Sequence, residues 1–155
     1  MDRLSSSCES ARDDSVRASA FRELTSATST YLRSSTLPSL FELQARKFYI
    51  ALAREPDRRR VLALIARHLK PWQTAYIGVI DPLDPRIDTP QEVCDRVHEA
   101  TEYIPLQQLG TTDDCGFAPF SDDISTSRDT AFAKVRARVL GTRLASERLS
   151  ARAGL

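Results

Sequence analysis

The chain has 155 residues, 41% hydrophobic and 28% charged, and its Lys+Arg 22 against Asp+Glu 21 leave a net charge of +1. At that length one domain is expected, and the balanced charge excludes an electrostatic case for nucleic acid or an anionic membrane. No apolar run approaches the ~20 residues of a membrane span, and the polar N-terminus does not read as a secretory signal.

Residues 1–37 are crowded with serine and threonine, as in Ser5-Ser6-Ser7 and Ser34-Ser35-Thr36, and hold few large apolar residues. Such a stretch buries too little surface to offset its ordering entropy, so it reads as a leader outside the folded unit, which begins at 38. Leu40, Phe41 and Leu43 then suggest a helical turn. Phe48 to Leu52 is a short apolar run that suits a buried strand, although periodicity alone leaves helix open. Pro56 suits the first position of a helix carrying Val61, Leu62, Ile65 and Leu69 on one stripe. Arg58, Arg59 and Arg60 read as the solvated face of that helix.

Thr74 to Asp81 is the clearest strand, nearly continuous in apolar residues, as expected where both faces are covered. Thr89-Pro90-Gln91-Glu92 is a capping box with proline at the first helical position. The helix it opens buries Val93, Val97, Ala100 and Ile104. Leu109 to Asp114 is a further strand, ending at Cys115-Gly116. A polar loop, Ser121 to Ser127, leads to a long helix whose expected stripe is Phe132, Val135, Val139, Leu144 and Leu149. The alternation of strand and helix predicts an α/β fold with about three parallel strands, since parallel pairing needs crossovers of this length.

Cys115 is the residue that advertises chemistry. A cysteine can be a small buried hydrophobe, or a thiolate that serves as nucleophile or metal ligand. Its place after a strand favours the second, because ligands gather at the carboxyl ends of parallel strands. Glu55 and Asp81 also follow strands and are expected on the same rim. Cys94 and His98 share a helix face at ligand spacing, yet a covering helix lies far from strand mouths, so they read as a buried cysteine and a partly exposed histidine, and His68 as a helix-edge residue. The three cysteines (Cys8, Cys94, Cys115) are odd in number and widely spaced. That spacing argues against a disulfide framework and for a reducing cytoplasm.

The block Tyr76-Ile77-Gly78-Val79-Ile80-Asp81-Pro82, then Pro85-Arg86-Ile87, Thr89-Pro90-Gln91-Glu92-Val93 and Asp113-Asp114-Cys115-Gly116 resembles the C-terminal end of the cobalamin-independent methionine synthase family. The terminal helix from Arg128-Asp129-Thr130-Ala131-Phe132 fits the same pattern, and the likeness runs from about Phe48 to Leu149. It implies the last part of a (β/α)8 TIM-type barrel, zinc as cofactor, and methyl transfer from a reduced folate to homocysteine in methionine biosynthesis. A related branch activates coenzyme M instead. Carried over by position, Cys115 is the terminal zinc cysteine, Glu55 (or Glu42) the glutamate ligand, and Asp81 an acidic strand end near substrate.

The family's His-x-Cys pair has no counterpart here: His68 and His98 lack a cysteine two residues on. A full barrel needs ~250 residues. The expectation is therefore a barrel segment with an incomplete zinc site, a partner chain supplying the missing strands, and small-molecule thiol and methyl donor as substrates. A non-catalytic remnant or interaction module is the rival.

Overall fold

The computed structural model describes residues 36–117 and 126–153. The serine-rich residues before 36, with Cys8, and residues 121–125 of the polar loop lie outside the described residues.

Three parallel strands form one sheet in the order β1 (Lys47–Ile50), β2 (Thr74–Ile80) and β3 (Leu109–Asp113). They alternate with α1 (Arg58–His68), α2 (Pro90–Thr101) and α3 (Arg128–Ala153). Strands added in one direction through crossovers of one hand place the helices on one face of the sheet. The order is the expected one, and the fold is α/β.

The core lies between sheet and helices, where Ile77 and Val79 of β2 meet Val61, Ile65, Val93 and Ala100, all at 0% exposure. Among the described residues no helix covers the other face, which corrects the expectation that β2 is covered on both sides. Tyr49 is 67% exposed and stacks on Tyr76 at 4.9 Å between ring centroids. Lys47 Nζ sits 5.9 Å over the same ring. Aromatic and long polar side chains thus line the face that a closed barrel would turn inward.

The helical turn expected before β1 forms and packs into the core. Residues 36–40 are helical, and Leu37 (4% exposed) and Phe41 (0%) are buried. Buried Gln73 holds the segment by donating from Nε2 to the carbonyls of Phe41 (3.1 Å) and Leu43 (3.3 Å).

α1 starts two residues later than Pro56 at the first helical position would have it. Asp57 is the cap, its side chain accepting from the Arg60 amide at 3.1 Å. A carboxylate at this position satisfies an orphan N–H, which proline one residue earlier cannot do. Nor is Arg58 part of a solvated face. Its Nη1 donates to the Leu52 carbonyl (2.7 Å) and its Nε to Glu99 (2.8 Å), joining α1, the end of β1 and α2.

The capping box of α2 is formed as read: Thr89 Oγ1 accepts from the Glu92 amide (3.2 Å), and Glu92 accepts from the Thr89 amide (2.7 Å). The bonds from Thr89, reinforced by Arg86, hold the Glu92 carboxyl at about 2. Folding lowers this pKa from about 4.3, so the stabilisation is complete above that value and is lost as pH falls toward 2. Glu92→Gln should therefore lower stability at pH 7, and the gap to the parent should close near pH 2 in urea titrations. The effect should stay modest, because the side chain is 39% exposed and solvent screens it.

α3 departs most from expectation. Phe132 (63% exposed) and Val139 (57%) of its large apolar stripe face outward, whereas Lys134 (0%), Ala137 (5%) and Ala145 (0%) face in. Small residues let α3 approach α2 closely. A Cβ on Gly141 would lie 2.5 Å from Val93 Cβ and 2.6 Å from the Pro90 carbonyl oxygen. Gly141→Ala should thus destabilise by about 1–3 kcal/mol, overriding the ~1 kcal/mol that alanine gains in an open helix. A chemical denaturation midpoint reads the sign.

Candidate functional site

The carboxyl ends of all three strands meet at one rim, and the chain there is held by carboxylates. β2 and β3 are paired from Ala75↔Leu109 to Gly78↔Thr112, then slip so that Ile80 faces Asp113. The bulge leaves the Val79 carbonyl to Arg96 Nη1 (2.6 Å). The same Arg96 atom reaches Asp88 at 2.6 Å.

Asp88 (4% exposed) is the hub of a buried network that the sequence reading missed. Its other oxygen faces Lys134 Nζ at 3.4 Å, and that ammonium also donates to the carbonyls of Asp81 (2.9 Å) and Arg86 (2.5 Å). The loop after β2, which begins at Asp81, is thereby pinned to α2 and α3. The weak clue in the sequence was a lysine inside the expected helix stripe, between Ala133 and Val135.

Asp81 stands on the rim as expected. Its carboxylate accepts from the Leu83 amide (2.9 Å) and pairs with Arg54 Nε at 3.3 Å. β3 alternates its side chains: Thr111 bonds Thr142 of α3 at 3.0 Å and Asp113 faces Arg138 of α3 at 3.0 Å, so Gly110, Thr112 and Asp114 take the open face. The Asp113–Arg138 contact is close in distance but poorly aligned, leaving both atoms without a well-formed hydrogen bond. Burial pushes the Asp113 carboxyl up, against the pull of Arg138.

In the sequence Asp114 merely precedes the thiol. In the fold its Oδ1 accepts from the Leu52 (2.7 Å) and Ala53 (2.8 Å) amides and its Oδ2 from the Arg54 amide (3.1 Å). Cys115 follows directly and is exposed. Partial burial of the sulfur, then the negative charge of Asp114 and Asp81, push its thiol up from the ordinary range, with Arg54 opposing. Cys115 therefore presents a solvent-facing thiol that holds its proton more tightly than a free cysteine does.

Glu55 does not stand out on the rim as a free carboxylate. It is 5% exposed, and its Oε1 lies 3.5 Å from the Asp57 amide as part of the turn into α1. Among the described residues no group of three or more His, Cys, Asp or Glu side chains is placed to hold a metal ion. A catalytic zinc takes about three protein ligands and keeps an open position. The donors here, one exposed thiol and one buried glutamate, do not fit a complete zinc site on their own.

Cys94 and His98 lie on α2 under α3, away from the rim. Cys94 is buried with Arg148 Nη1 3.5 Å from its sulfur, and His98 Nε2 is buried without a hydrogen-bond partner among the described residues. They pack, as expected. A groove of about 670 Å³ between the 87–90 segment and α3, walled by Ile87, Pro90, Phe132 and Leu140, touches Asp88 but none of Asp81, Asp114 and Cys115. No helix among the described residues is long and apolar enough to cross a membrane.

No protein-family model matches the chain. Over 130 residues it is 29% identical to 2-hydroxypropyl-CoM lyase from Xanthobacter autotrophicus (strain ATCC BAA-1158 / Py2), which covers 83% of this chain and 32% of that protein. Its fold matches a B12-independent methionine synthase from Shewanella sp. W3-18-1, solved in complex with selenomethionine. The TM-score is 0.61 at 20% identity, over 74% of this chain and 30% of that one. The chain therefore spans about a third of the length of each relative, and its sheet is an arc of the barrel fold. Motifs, sequence likeness and fold converge on one resemblance: the cobalamin-independent methionine synthases together with their coenzyme M-type relatives.

Proposed function

We propose that the chain is the C-terminal segment of a zinc-dependent, methionine-synthase-type methyltransferase, acting on the thiol of homocysteine with a reduced folate as methyl donor. The observation that supports this reading most is the exposed Cys115 thiol at the carboxyl end of β3, in the Asp113-Asp114-Cys115-Gly116 motif. Zinc, when bound, would supply a Lewis acid that favours thiolate over thiol. Cys115 and Glu55 are the residues of this chain assigned to hold it, and Asp81 is assigned to the substrate side of the rim. A partner polypeptide carrying further (β/α) units would cover the open sheet face and add the remaining ligands. The coenzyme M reading is the second, favoured by the 29% identity to 2-hydroxypropyl-CoM lyase. Both are alkylations of a small thiol.

The test is zinc uptake by the full chain, read by competition with a coloured chelator. Because this chain supplies only part of a site, the expected result is weak uptake that disappears in Cys115→Ser and persists in Cys94→Ser. Adding homocysteine or 2-mercaptoethanesulfonate then separates the two acceptors, the true one tightening the retained zinc. Uptake indifferent to Cys115→Ser would remove the zinc reading and leave a non-catalytic barrel remnant.

A further inference from the structure

The carboxylate of Asp114 does something that neither a metal ligand nor a proton carrier would do. It spends both oxygens on three consecutive backbone amides, those of Leu52, Ala53 and Arg54, on the far side of the sheet. β2 lies between, since the strand order is β1-β2-β3. To reach β1 from β3 the side chain must cross β2, and it crosses over Gly78. A Cβ at Gly78 would run into Asp114 Oδ1 and lie 2.9 Å from the Leu52 amide nitrogen. Any other residue at 78 would block the path. Three successive N–H groups converging on one anion are a strong, charge-assisted arrangement.

We propose that Asp114 is the positioning residue of the thiol rim, and that Gly78 is the opening through which it works. The clamp ties the strand end carrying Cys115 to the turn carrying Arg54 and Glu55, so that thiol, glutamate and the Arg54–Asp81 pair are held as one unit. The proposal rests on the reading of that rim as the functional site. It explains two motif residues, Gly78 and Asp114, by one contact. It also assigns Asp114 a role through backbone placement, without contact to substrate.

Residue-resolved amide exchange on the full chain tests it. Asp114→Ala should speed exchange of the Leu52, Ala53 and Arg54 amides at least tenfold, while the Ile77 and Val79 amides of β2 stay protected. Asp114→Asn keeps a single acceptor oxygen, so it should rescue Leu52 and Ala53 and leave Arg54 fast. A general loss of stability would not give this graded pattern. Gly78→Ala should mimic Asp114→Ala, and should add nothing at the three amides when the two are combined. Unchanged protection in Asp114→Ala, or equal loss at all three amides in Asp114→Asn, overturns the proposal. Should the alanine variant fail to fold, the asparagine pattern decides alone. The zinc titration with Cys115→Ser fails or succeeds independently of these amides, so a failed site reading and a failed clamp are distinguishable.

Discussion

Replacing Lys134 by methionine should cost the fold about 3–5 kcal/mol, the range expected when one member of a buried ion pair is removed and the other stays. Lys134 is 0% exposed, and its ammonium is shared by the Asp88 carboxylate and the carbonyls of Asp81 and Arg86. Methionine fills a similar volume but donates nothing, so a partly neutralised carboxylate and two carbonyls lose a donor inside the protein. Arg96 still reaches Asp88 at 2.6 Å, which keeps the loss toward the lower end. At the usual 2–4 °C per kcal/mol for a chain of about 150 residues, a drop in Tm of more than about 6 °C follows. Arg136→Met on the same helix, at an exposed position, should change stability by no more than about 0.5 kcal/mol. Thermal melts of the two variants side by side measure the difference. Equal, small effects would mean that the Lys134–Asp88 network does not form.

Phe41→Ala is the second large effect, at about 3–5 kcal/mol. The ring is fully buried and meets Phe48 edge-on at 4.9 Å, so its loss opens a cavity between the 36–46 segment and β1. The backbone cannot easily collapse into that space. It is pinned by Gln73 from one side and by the Thr74 amide, which donates to the Arg46 carbonyl at 2.8 Å. Leu43, only two residues on, is 55% exposed, and Leu43→Ala should be nearly silent. Urea midpoints should separate the pair clearly. A silent Phe41→Ala would mean that the chain before β1 is not part of the packed unit.

These two residues also show how far the sequence could be read. The central strand was legible because Tyr76 to Ile80 is almost wholly apolar between polar ends. The start of α2 was legible because Thr89 and Glu92 have the spacing that closes a capping box. Both signals are local. The inward face of α3 was not legible: Lys134, Ala137, Gly141 and Ala145 are chosen by the surface of α2 and by the loop after β2, which are distant in sequence. The larger Phe132 and Val139 gave a stripe that points to solvent. Phe41 and Leu43 looked alike for the same reason, and only packing tells them apart.

At the site, the position of Cys115 was legible from the end of the strand and the glycine after it. The fate of Glu55 was not, because the turn Leu52–Glu55 folds back, with the Glu55 amide donating to the Leu52 carbonyl at 3.2 Å, and the side chain becomes buried. Asp114 looked like one more acidic neighbour of a thiol. Its role depends on a gap in another strand, and no pattern within its own segment carries that information.

The central claim is that Cys115 is a solvent-facing thiol at the mouth of the sheet, while Cys94 is a packing residue. Alkylation of the folded full chain by iodoacetamide, resolved by peptide mass, tests this most directly. Cys115 should be modified and Cys94 protected. Because its folded pKa is raised, the Cys115 rate should be low at pH 7 and climb about tenfold per pH unit toward that pKa, following the thiolate fraction. A protected Cys115, or equal modification of both cysteines under native conditions, would contradict it.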